Sequence, residues 1–126
     1  MKQELHEPPR EFSPYSGLRL RDMGDVWLAS DEQLTFRTPT GAGNDIVRKD
    51  WGFYLTNSLN ANLRSQGFKT ALVSSGAADP RLYVLLVDSG RLGEFIAYLK
   101  EYGMKLAMWL DEWPMEHQGS TTDVPA

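Results

Sequence analysis

The chain has 126 residues, no cysteine, and a net charge of −4 from thirteen Lys plus Arg against seventeen Asp plus Glu. The length fits one domain that needs no metal or disulfide to fold. The missing thiols exclude structural disulfides, thiolate nucleophiles and Cys-ligated zinc or iron–sulfur sites. The acidic balance opposes phosphate-backbone binding and makes a nucleic-acid partner a minor expectation. No run approaches the roughly 18 apolar residues of a membrane span, and MKQELHEPPREF holds no apolar stretch of signal-peptide length, so a cytoplasmic location without membrane association is expected.

Taken in chain order, residues 1–14 hold Pro8, Pro9 and Pro14 among charges and read as a mobile tail. Residues 15–113 read as one α+β domain, and residues 114–126, which lack apolar periodicity, as a second tail. The two histidines, His6 and His117, fall in the tails, which takes the commonest general base and metal ligand out of the folded body.

Gln33 to Arg37 alternates with Leu34 and Phe36 inward and predicts a half-buried strand, with Val26 to Ala29 as a candidate extra N-terminal strand. After the breakers Pro39, Gly41 and Gly43, Asn44 is a suitable N-cap. Val47, Trp51, Leu55, Leu59 and Leu63 then recur every four residues, the stripe of a long helix closed by Gly67, with Gly52 and Asn57 as weak points. Phe68 to Val73 and Leu82 to Val87 predict a hairpin around a loop with Gly76 and Pro80. Leu92, Phe95, Ile96 and Leu99 keep a helical period with Gly103 as the stop, and Lys105 to Leu110 predicts the last strand. The order strand, helix, strand, strand, helix, strand points to a ferredoxin-like βαββαβ sandwich, an antiparallel sheet with both helices on one face. On that reading Trp51, Leu59, Phe95 and Leu99 are core residues.

Such a fold gathers the loop Thr38 to Gly43, the hairpin loop Ser74 to Arg81 and the region of Lys105 at one end. Gly41, Gly43 and Asn44 would present free amides at a helix start, with Arg48, Lys49, Arg81 and Lys105 as converging cations, a candidate anion site. The weightier reading of these glycines is an ordinary turn and cap, since TPTGAGND matches neither a Walker A loop nor a dinucleotide fingerprint. At the other end Asp31, Glu32, Asp88, Asp111 and Glu112 offer oxygen ligands for a hard divalent cation or paired carboxylates for acid–base chemistry; solvated turn residues are the simpler account, and no metal or other cofactor is expected.

The sheet carries one conflict. If Leu34, Phe36, Phe68, Leu72, Leu106, Met108 and Leu110 face the helices, then Thr35, Arg37, Ala71, Val73, Ala107 and Trp109 face away, and Leu82 to Val87 is apolar on both faces. The second face needs a cover, either the N-terminal segment with Leu18, Leu20, Met23, Val26 and Trp27 or a second subunit meeting Val73, Tyr83, Leu85, Val87 and Trp109. The functional expectation is a small soluble binding or accessory protein, homodimeric through its sheet face or bound to a protein partner, without intrinsic catalysis. The alternative is a small enzyme or regulatory domain that takes a phosphorylated or carboxylated metabolite at Thr38 to Lys49.

Overall fold

A computed structural model describes residues 1–113 of the chain. It contains three small antiparallel sheets and one helix longer than a single turn, so the ferredoxin-like βαββαβ sandwich is overturned in favour of a mostly β protein. The chain divides into two compact units, Met1–Thr38 with Gly43–Thr56, and Pro39–Ala42 with the chain from Asn57 on.

In the first unit, β1 (Lys2–Phe12) and β2 (Leu20–Trp27) form a two-stranded ribbon where a tail is expected for residues 1–14. Its register runs Lys2↔Trp27 to Leu5↔Gly24, breaks, and resumes at Arg10↔Asp22. The break spans Pro8 and Pro9, which have no N–H to give the ladder. Arg10 binds the Asp22 carboxylate at 3.0 Å across the strands, and Ser13 Oγ donates to Leu18 O at 2.6 Å to close the connection. This ribbon is held by backbone pairing and polar contacts, and neither signal is visible as apolar periodicity.

The second sheet has the order β3 (Gln33–Arg37), β4 (Gly43–Lys49), β5 (Gly52–Leu55). The expected strand at Gln33 to Arg37 is present, but the long helix over Asn44 to Leu63 is not. Gly43–Lys49 pairs with β3, turns through Asp50 and Trp51, and returns as β5 with Lys49 opposite Gly52. Gly52 sits at φ 146°, where L residues are rarely found, so it permits this tight reversal rather than merely weakening a helix. Trp51, expected in the core, is 72% exposed at the tip. An every-fourth-residue stripe with one i+3 companion, Tyr54 after Trp51, is a thin helical face, and Ile46 and Val47 favour a strand. A single turn, α1 (Asn62–Ser65), is all that remains of the helix.

The second unit follows the expected order closely. β6 (Phe68–Ser74) is the central strand of a sheet ordered β7, β6, β8, with β7 (Leu82–Asp88) and β8 (Lys105–Trp109) antiparallel to it. α2 (Leu92–Glu101) crosses between β7 and β8, preceded by a 3-10 turn, Ser89–Arg91, that Asp88 caps by accepting from the Gly90 N–H at 2.8 Å. Phe95 and Leu99 of α2 are buried against Ala71, Val73 and Val87, with Leu85, Tyr98, Met104, Leu106 and Trp109 packed around them. The Phe95 and Trp109 rings lie 5.8 Å apart and tilted by 49°.

α2 therefore covers the face that the sequence leaves open. Ala71, Val73 and Val87 lie under the helix, and Leu82 and Val84, on the other parity, are 65% and 58% exposed. A bulge explains why no single alternation fits. Ala71 pairs with Trp109 but Val73 pairs with Leu106, so the extra residue in β8 brings Leu106 and Trp109 to the same side.

Candidate functional site

Alternation in β3–β5 sorts one sheet into two unlike faces. Leu34 is opposite Ile46, and Ile46 is opposite Leu55, which makes one apolar row across three strands, while Phe36 and Phe53 extend the same face. The opposite face carries Thr35 and Asp45, hydrogen-bonded at 2.5 Å through Thr35 Oγ1, together with Arg37, Lys49 and Tyr54. With Val26 and Leu28, the apolar row lines a concave groove of about 340 Å³.

An apolar sheet face in a folded domain is normally the buried one. Here Phe36, Phe53 and Leu55 are 51%, 66% and 60% exposed, and every buried hydrophobic side chain among the described residues belongs to the other unit. Asn44 and Arg48 share the groove face by register, opposite Phe36 and Phe53, and put polar groups at its rim. Arg48 is held by Asp50 at 3.3 Å. The groove is thus an apolar floor with a polar margin, the chemistry that receives an apolar side chain or segment.

The residues expected to bind an anion are placed differently from the sequence reading. Gly43, Asn44, Arg48 and Lys49 lie along β4, so no helix start gathers their amides and no helix dipole favours an anion there. Gly43 is instead a point of close approach, since a Cβ on it would come within 2.9 Å of Phe36 O. Lys49 pairs with Asp31. Gly41 lies in the turn before β4, at φ 93°. Arg81 and Lys105 flank β6 at one end of the other sheet, where Ser74 is opposite both Lys105 and Leu82 and Ser75 donates its N–H to Arg81 O at 2.9 Å.

The association surface expected at Val73, Tyr83, Leu85, Val87 and Trp109 is corrected in the same way. Val73 and Val87 are 0% and 6% exposed beneath α2, Leu85 and Trp109 pack against that core, and Tyr83 is the exposed member. The sheet has the two apolar faces foreseen, but the helix took the other one.

Each of the five carboxylates Asp31, Glu32, Asp88, Asp111 and Glu112 has a local partner. Glu32 accepts from the Ala29 N–H at 2.7 Å and pairs with the N-terminal ammonium at 3.0 Å, and these contacts hold its carboxyl below the usual range. Asp111, only 3% exposed, accepts from the Thr70 N–H at 2.9 Å and faces Arg64 at 3.2 Å and Lys69 at 3.4 Å. Burial pushes its pKa up, but the Thr70 amide and the two cations outweigh burial and leave it lowered. Lys69 also donates to Glu112, which raises its own pKa, and stands 4.7 Å over the Trp109 ring. Arg64 Nη2 closes the cluster on Asp111 O at 2.7 Å. This network ties the chain after β8 to the start of β6. Among the described residues no group of three or more His, Asp or Glu side chains is placed to hold a metal ion.

No protein-family model matches the chain, and no curated protein or solved structure matches it. Sequence reasoning missed the groove because it assigned Ile46 and Leu55 to a helix, although Asp50, Trp51 and Gly52 between two β-rich runs carry a hairpin signal.

Proposed function

We propose that the protein is a small binding or accessory protein that works through exposed apolar sheet surface, with the groove of β3–β5 as its docking site for an apolar segment of a protein partner. One observation carries this reading: a coherent apolar face, Leu34–Ile46–Leu55 with Phe36 and Phe53, leaves Phe36, Phe53 and Leu55 more than half exposed in a unit that buries no hydrophobic side chain. Large exposed apolar surface is costly to keep in water and is retained where a partner covers it. The alternative, a phosphorylated or carboxylated metabolite at Thr38 to Lys49, loses the helix start on which it depended and has no other observation in its favour.

Anilinonaphthalene sulfonate, a dye that brightens in apolar sites, tests the groove. Phe53→Asp places a carboxylate on its floor at a side chain 66% exposed, so folding stability should change by no more than about 0.5 kcal/mol. Wild type should bind the dye and Phe53→Asp should lose most of the signal. Equal dye binding by the two proteins would remove the groove as a site.

A further inference from the structure

Every sheet edge in the described chain but one carries a feature that discourages pairing with another strand. β1 has Pro8, Pro9 and an interrupted register; β2, the other strand of that ribbon, has the φ 134° glycine Gly24 and the charges Arg21, Asp22 and Asp25. β3 alternates with Gln33, Thr35 and Arg37, and β5 has four residues. β8 opens on Lys105 and is bulged. The exception is β7, LYVLLVD: seven residues with no Pro, Gly or Lys and an unbroken register to β6.

The direction of its backbone groups follows from the hydrogen bonds at both ends of the ladder. Ser75 N donates to Arg81 O and Ser89 N donates to Gly67 O, so residues 81 and 89 belong to hydrogen-bonded pairs with β6. Antiparallel pairs alternate. Tyr83, Leu85 and Val87 therefore point their N–H and C=O groups at β6, and Leu82, Val84, Leu86 and Asp88 point theirs outward from the edge. The same outward-bonding residues carry the exposed apolar side chains, with Leu82, Val84 and Leu86 at 65%, 58% and 36%. A cleft of about 360 Å³ between Leu85–Asp88 and Glu94, Phe95 and Tyr98 of α2 leaves the edge uncovered by the helix.

We infer that β7 pairs antiparallel with β7 of a second copy about a two-fold axis at Leu85, joining two three-stranded sheets into one of six. This rests on the reading that the protein acts through exposed sheet surface, but it uses an edge outside the groove. A second copy is the occupant because the strand is complementary to itself. With Leu85 on the axis, Val84 is opposite Leu86 and Leu82 opposite Asp88 in both directions, so the outward N–H and C=O groups of Val84 and Leu86 all find partners. Val84 and Leu86 become cross-strand apolar neighbours twice over, and Tyr83 meets Val87 on the other face.

Val84→Pro tests the register, because it deletes an outward N–H and leaves the ladder to β6 intact. Sedimentation equilibrium should find wild type dimeric and the variant's association weakened roughly tenfold or more, as expected for the loss of two symmetry-related hydrogen bonds. Phe53→Asp should remain dimeric, so loss of the groove and loss of the edge are told apart. If Val84→Pro fails to fold, amide exchange on wild type decides: the N–H groups of Val84 and Leu86 should be protected in a concentration-dependent way. A wild-type monomer at millimolar concentration, or rapid exchange of these amides at every concentration, would overturn the proposal. A dimer that Phe53→Asp dissociates and Val84→Pro does not would move association to the groove.

Discussion

Thr70 and Asp111 carry the most distinctive single-residue energetics in the second unit. The Thr70 side chain is fully buried and its hydroxyl has no hydrogen-bond partner, while its N–H is held by the Asp111 carboxylate. Replacing the hydroxyl by a methyl keeps the shape and removes an unpaired polar group. Thr70→Val is therefore expected to be neutral or to stabilise by up to about 1 kcal/mol in urea unfolding. Asp111→Ala should do the reverse, with a loss of roughly 1–3 kcal/mol for leaving the buried Thr70 amide unpaired. Asp111→Asn, which keeps an acceptor for that amide, should lose less. Because folding lowers the Asp111 pKa, its contribution is present above the unfolded carboxylate value and is lost as pH falls through the folded one. Wild type should accordingly lose stability below about pH 4, and Asp111→Asn should show a shallower acid limb over that window.

At the scale of elements, α2, the strands it covers and β3 (Gln33–Arg37) were legible from periodicity, and β1 and the chain from Gly43 to Leu63 were not. Leu92, Phe95, Ile96 and Leu99 with a stop at Gly103 became a helix ending at Glu101, and Phe95 and Leu99 are core residues as expected. Leu99→Ala should cost roughly 2–5 kcal/mol by chemical denaturation, the range for emptying a packed leucine site. Ile96, in the same run but 50% exposed, should cost far less when cut to Ala. Gly43 to Leu55 misled because single apolar residues four apart satisfy a loose helical template. Two short strands joined by Asp50 and Trp51 place the same residues without a helix. β1 was hidden for a different reason: a ribbon with polar side chains on both faces satisfies its backbone without any apolar pattern.

At the scale of the whole molecule, the apolar surface is distributed unevenly between the two units. The second unit has a core under α2, and the first keeps its apolar row on an open groove. Dye binding to the groove and pairing of β7 edges probe surfaces in different units, so Phe53→Asp is read out by dye fluorescence and Val84→Pro by oligomer mass. No helix of the described chain is long and apolar enough to cross a membrane.

By itself the sequence determined the hairpin of Phe68–Ser74 with Leu82–Asp88, the following helix, the last strand, and the fact that β7 is apolar on both faces. Those features are local: strong β-propensity, a repeated helical period and clear breakers act within a few residues of one another. The tertiary structure decided which face of the sheet α2 covers, because a single bulge between Leu72 and Val73 and the facing strand changes parity and no local signal announces it. It also decided that Gly43 to Leu55 pairs with Gln33–Arg37, since strand pairing depends on a partner elsewhere in the chain. The anion and interface residues moved with those two decisions, because a side chain's chemistry depends on the face and element that carry it.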